Sequence, residues 1–145
     1  MMILPFSAAV VLAAGIAGRL MPRVGPRRPL ILGLLLIVGG AAAAWFSTAT
    51  GAFVVGLVLA GLGNGMGAVA AYAFGLAVPA EQEGSAAGLL NTAAQIGTAT
   101  MVAATVAIAG HGSGIDYRLG WLTVGLTAIA VITSVGAATR TRLRH

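Results

Sequence analysis

Few side chains in this 145-residue chain could do chemistry, and their placement narrows what that chemistry would be. There is no cysteine, which removes thiolate nucleophiles, thiolate metal sites and disulfides together. The acids are Glu81, Glu83 and Asp116, and the histidines are His111 and His145. No two of them stand at a metal-ligand spacing. There is no Ser-His-Asp arrangement, no Walker loop and no carboxylate pair in an apolar segment. An enzyme, a metal site and a resident cofactor are therefore not expected. A proton-driven pump keeps a titratable group inside the membrane, and every acid and histidine here falls between apolar runs or at their ends.

Two uncharged patterns remain. Gly63-x-Gly65-x-x-Ala68 follows an apolar run, and Glu83 comes about 20 residues later, which fits a relaxed dinucleotide fingerprint. Such a site needs strands alternating with helices around a parallel sheet, and nothing here alternates. Gly61/Gly65 and Gly63/Gly67 are instead G-x-x-x-G pairs, which let helix backbones approach closely in a membrane and also allow a helix to flex. The second pattern is Asn91, Gln95, Thr98 and Thr105. At roughly 100° per residue they fall within an arc of about 80°. A polar stripe in hydrocarbon must face protein or a water-filled cavity, so it reads either as interhelical hydrogen bonding or as the lining of a cavity or gate. Asn64, Met66 and Tyr72 invite the same reading with less angular coherence.

The elements that must carry these residues are membrane helices. Hydrophobic residues make up 59% of the chain and charged residues 8%, against about 25% charged in an average soluble domain. Five apolar stretches run over about 3–20, 30–46, 52–78, 85–109 and 119–138. Each approaches the ~20 residues that cross ~30 Å of hydrocarbon. Period-two alternation is absent, and an open sheet edge cannot face lipid. The expected fold is an all-α integral membrane bundle of five transmembrane helices in one unit. The breaks hold turn-forming residues: Pro22, Gly25, Pro26 and Pro29; Ser47 to Gly51; Pro79; and Gly110 to Asp116. Ser85 is placed to cap the fourth helix, with Glu81 and Glu83 near its positive end. Connections this short make consecutive helices antiparallel.

Charge sets the orientation. The net charge is +5, but seven of the eight arginines are clustered: Arg19, Arg23, Arg27 and Arg28 in the first break, and Arg140, Arg142 and Arg144 in the tail, with only Arg118 elsewhere. Cytoplasmic loops of membrane proteins carry this excess. Nucleic-acid binding is not expected, because no basic stripe with interleaved stacking aromatics exists. The C-terminus is placed in the cytoplasm and the N-terminus outside. Phe6, Trp45, Phe46, Phe53, Tyr117 and Trp121 then gather at the outer boundary, where aromatic rings settle. The first apolar run has no basic residue before it and four after it, the reverse of a secretory signal. An outward N-terminus on a first helix suggests that further chain precedes it.

The run Gly18-Arg19-Leu20-Met21-Pro22-Arg23-Val24-Gly25-Pro26-Arg27-Arg28-Pro29-Leu30 resembles the glycine- and arginine-rich cytoplasmic loop of major facilitator superfamily transporters. Residues 78–97, from Val78-Pro79 to Ile96-Gly97, resemble the opening of that superfamily's penultimate helix, closest to the fourteen-helix drug:proton antiporter branch. Pro22 stands where the loop motif usually has an acid, and Glu83 where the family often has a basic or neutral residue. The resemblance implies the last five helices of a C-terminal bundle. It places the third helix at the substrate cavity, the first and fourth between two bundles, and the second and fifth against lipid. Its implied partners are the bilayer, the missing N-terminal helices and, in an intact transporter, a small hydrophobic or cationic substrate. It implies a C-terminal fragment of a proton-coupled multidrug efflux transporter in the plasma membrane, inactive alone. The alternative from another class is a membrane remnant or partner-binding subunit that transports nothing.

Overall fold

The computed structural model describes residues 3–46, 50–109 and 117–142. Among these, the regular elements are all helical: α1 (Ile3–Val24), α2 (Arg27–Trp45), α3 (Thr50–Gly75), a short 3-10 turn (Ala80–Gln82), α4 (Glu83–Ala109) and α5 (Tyr117–Arg142). The turns expected at Ser47–Gly51 and Gly110–Asp116 fall largely or wholly outside the described residues, and with them His111, Asp116, Arg144 and His145. Leu4–Val24, Arg27–Trp45 and Thr50–Gly75 are long and apolar enough to cross a membrane, and Leu119–Thr133 is a shorter apolar helix. The helix α4 is 27 residues long, but its alanines, threonines, Asn91 and Gln95 leave it less apolar than these.

Several boundaries differ from the sequence reading, each for a local reason. Pro22 does not end α1; it sits inside the last turn, and the helix continues to Val24. The stop is Gly25, with a left-handed φ of 72°. Its N–H donates to the Met21 carbonyl at 2.8 Å, the αL closure that leads directly into Pro26. A side chain at this φ costs roughly 1–2 kcal/mol. Gly25→Val is expected to lose about that much in equilibrium unfolding in mixed micelles, while Gly18→Ala, with open space around it, does not. A valine variant as stable as the parent would show that the turn relaxes away from left-handed geometry.

Pro29 does not precede α2 but sits in its first turn, where a missing N–H has no partner to lose. Its side chain is almost fully buried. The helix α3 closes at Gly75, short of Val78, and the Leu76 N–H still reaches the Tyr72 carbonyl at 2.9 Å. Ser85 is not a cap: α4 begins at Glu83, directly from the 3-10 turn, and Ser85 is an exposed residue within it.

The centre of the bundle is α3, packed against α1 on one side and α2 on the other. The other face of α2 meets α5, and α5 meets α4, while α1 and α2 barely touch. Glycine explains the tight α2–α3 seam. A methyl group at Gly33 would lie 2.7 Å from the Gly63 carbonyl oxygen and 2.7 Å from the Gly67 nitrogen. One at Gly40 would lie 2.7 Å from both the Gly56 oxygen and the Ala60 nitrogen. A second face of α3 holds Gly61 and Gly65 against Phe6, Ala9, Val10 and Ala13 of α1. With lipid as apolar as leucine, helices associate through van der Waals contact, which small residues allow. Ala13, Ala17 and Met66 form the buried knot below this seam, with Leu36, Leu62 and Val69 around it.

The helix directions gather two opposite ends. Arg19, Arg23, Arg27, Arg28, Glu81 and Glu83 lie at one end with the last turns of α5. Trp45, Phe46, Phe53 and Trp121 lie at the other with Phe6. There Phe53 and Trp121 meet edge-to-face, ring centroids 6.0 Å apart.

Candidate functional site

The polar residues that the sequence singled out lie on α3 and α4. Because α1 and α2 cover two sides of α3, one arc of it stays open. Asn64, Ala68 and Ala71 are exposed on this arc and, continuing at helical spacing, lead to Gly75. Gly75 is where α3 meets α4: its Cα faces the Leu90 side chain, whose methyls would lie 2.5 Å from an added Cβ. The face of α3 that bears Asn64 is thus the one that turns toward the start of α4. Tyr72 is 38% exposed beside it, whereas Met66 is only 7% exposed and belongs to the knot with Ala13 and Ala17. Met66 therefore packs between helices and lines no open space.

Among the described residues, α4 meets its neighbours at its start and again in its second half. At its start Leu90 meets Gly75. Towards its end Met101 accepts a 3.5 Å hydrogen bond from the Thr127 hydroxyl, and the Thr105 and Thr123 hydroxyls lie 3.4 Å apart. Every residue from 91 to 100 between those ends is exposed, including Asn91, Gln95 and Thr98. Among the described residues the side chains of these three, and of Asn64, have no hydrogen-bond partner. Thr92, next to the stripe, bonds back to the Gly88 carbonyl at 2.9 Å. Thr105 leaves the stripe because α4 closes onto α5 at that height, and a methyl at Gly120 would sit 3.2 Å from its side chain. Two primary amides and a hydroxyl thus stand along one open face of α4, near the open arc of α3.

The loop residues Gly18, Arg19, Arg23, Arg27 and Arg28 are exposed, and Gly25 forms the turn between them. Of the four glycines expected to serve packing, Gly61 and Gly65 lie against α1, and Gly63 lies against Gly33 and Ile37 of α2. Gly67 lends its backbone to the contact with Gly33. Sequence reasoning missed the α2 half of this seam, although Gly33 and Gly40 stand seven residues apart on one helix face. Among the described residues no group of three or more His, Cys, Asp or Glu could hold a metal ion.

A bundle with an apolar exterior, a glycine seam and one open polar face defines a multi-pass membrane protein. The family model of the Major Facilitator Superfamily matches residues 1–144, and the chain belongs to that family. Multidrug resistance protein Stp of Mycobacterium tuberculosis, in strains CDC 1551 / Oshkosh and ATCC 25618 / H37Rv, is 36% identical over 101 residues in each case. The match covers 68% of this chain and 19% of each relative, so the chain spans about a fifth of their length. No solved structure matches.

Proposed function

We propose that this chain forms the last five membrane-spanning helices of a multidrug exporter that works by alternating access and is inactive without its other helices. The observation that carries the reading is the open face of α4. Asn91, Gln95 and Thr98 are exposed without partners on a helix of a membrane protein, and hydrocarbon cannot satisfy them. Further helices, or a water-filled cavity between bundles, can. The family and the relative named for multidrug resistance support that activity, and the substrate proposed for the intact transporter is a small hydrophobic or cationic molecule. In such folds one bundle rocks against the other around a central site. Asn64 and Tyr72 on α3 and the α4 stripe are the residues proposed to face that site or its gate. The exposed loop arginines are proposed to lie on the cytoplasmic side.

A chimera tests this. The relative's matching segment is exchanged for this chain, and accumulation of a cationic dye is followed in cells. Export by the chimera above that of the relative with the segment deleted is expected. Export no better than the deletion, with the chimera in the membrane at normal levels, would contradict the reading.

The proposed orientation places the C-terminus in the cytoplasm and the N-terminus outside. Seven of the eight arginines then lie inside. A C-terminal fusion to a reporter that folds only in the cytoplasm should be bright, and a fusion to one active only outside should be silent. The reverse pair of results would invert the topology.

A further inference from the structure

The open face of α4 extends beyond its amides. Gly84, Gly88, Asn91, Gln95, Thr98 and Val102 follow one another at intervals of 4, 3, 4, 3 and 4 residues. At roughly 100° per residue they share one arc of about 80°, and every one of them is exposed. This is the a/d spacing of a two-helix seam. It runs about 27 Å at ~1.5 Å per residue, most of the ~30 Å of a bilayer's hydrocarbon. Leu90 and Met101, which hold α4 to α3 and α5, lie roughly 80–100° round the helix from Asn91 and leave the seam clear. The seam ends where Thr105 turns to Thr123.

Two independent features of this arc call for a helix. The amides and the Thr98 hydroxyl need polar partners that lipid lacks. The glycines need a backbone to approach. At Gly33, Gly40, Gly56 and Gly63 an added Cβ would strike the backbone of a neighbouring helix, whereas at Gly84 and Gly88 it would meet nothing within 4 Å. These two stand at the G-x-x-x-G spacing that lets helices pack closely, and the chain itself makes no use of them.

We infer that this seam binds a second copy of the chain through the copy's own α4, parallel and in register. The inference rests on the reading that protein covers this face. Arginine asymmetry inserts both copies the same way up, so the twofold axis of a closed pair lies along the membrane normal. Equivalent residues then meet at equal depth: Asn91 of one copy faces Asn91 of the other, Gln95 faces Gln95, and Thr98 faces Thr98. A primary amide carries donors and an acceptor, and a hydroxyl carries both, so each is its own complement. A seam of carboxylates or guanidinium groups would repel its copy, and this one holds no charge. Glu83 stands roughly 80° round the helix from Asn91, so the acids of the two copies diverge. Polar side chains within such a seam also fix its register.

Sedimentation equilibrium of the 145-residue chain in density-matched micelles should give a reversible dimer. Gly88→Leu adds bulk for which the chain's own fold has room, and it should weaken pairing about tenfold or more with helicity unchanged. The chain has no cysteine, so single introduced cysteines report the geometry in liposomes. With copper phenanthroline as oxidant, Thr98→Cys should form a disulfide-linked dimer. Ile96→Cys, about 160° round the helix, should not. Adding Asn91→Leu and Gln95→Leu to Thr98→Cys should lower its dimer yield about tenfold. A chain that stays monomeric at every concentration would overturn the inference. So would equal crosslinking at positions 96 and 98, or Gly88→Leu pairing as well as the parent. A chimera that exports while the chain by itself remains monomeric would sink the pair alone and leave the proposed function standing.

Discussion

Gly63→Leu is expected to pull α3 away from α2 and to destabilise the chain more than any other single change considered. A methyl group alone at this position would strike the Gly33 carbonyl oxygen and lie 2.7 Å from Ile37 Cγ1 and 2.8 Å from the Ile37 nitrogen. Two of those three atoms are backbone, so no rotamer change relieves the clash; the helices must separate. Overpacking costs roughly 1–3 kcal/mol, occasionally more, and a clash against backbone belongs at the upper end. Separation also opens the contacts of Gly40 with Gly56 and Ala60 one turn and more away. Gly39→Leu is the control. It neighbours Gly40, yet nothing lies within 4 Å of an added Cβ, and stability should change by no more than about 0.5 kcal/mol. Unfolding curves in mixed micelles read both. A Gly63→Leu protein as stable as Gly39→Leu would mean that the seam is looser than described.

The second large effect concerns the α4 face. Asn91→Leu together with Gln95→Leu removes two amides that have no partner among the described residues. Stability of the chain by itself should scarcely change. Association with the remaining helices of a related transporter should weaken by roughly 1–3 kcal/mol, from interhelical hydrogen bonds of about 0.6 each, up to ~1.7, plus lost close packing. Leu89 is 72% exposed on the opposite face, roughly 160° round the helix from Asn91, and Leu89→Ala should matter less. Co-purification with a separately expressed relative that lacks the matching segment is the readout. A double variant that co-purifies like the parent, while Leu89→Ala fails, would place the protein-facing side of α4 elsewhere.

The contrast between Thr105 and Gln95 shows how far the sequence could be read. Periodicity put both on one stripe, and it could not show that α4 closes onto α5 at one height and stands open at another. That depends on which helices are neighbours. The five helical runs were legible because apolar length and breakers are local properties. Pro22 was misleading: α1 carries it inside its last turn, forgoing the bond to the Gly18 carbonyl, and the helix stops only at the left-handed glycine three residues on. The α3 glycines announced close packing, but only contact geometry divides them between α1 and α2. Met66 looked like a cavity residue by its helix position and is instead enclosed by Ala13 and Ala17. Trp45 and Trp121 line one groove between α2 and α5, far apart in sequence, and no local signal joins them.

The central claim is that these helices transport only as part of a larger assembly. Its most direct measurement is dye export from liposomes carrying a pH gradient, with the chain alone and with the chain joined by a relative that lacks the matching segment. The account predicts no gradient-dependent export by the chain alone, whose described spans contain no titratable group in their middle, and restored export when the two portions are reconstituted together. Robust gradient-dependent export by the chain alone would contradict it.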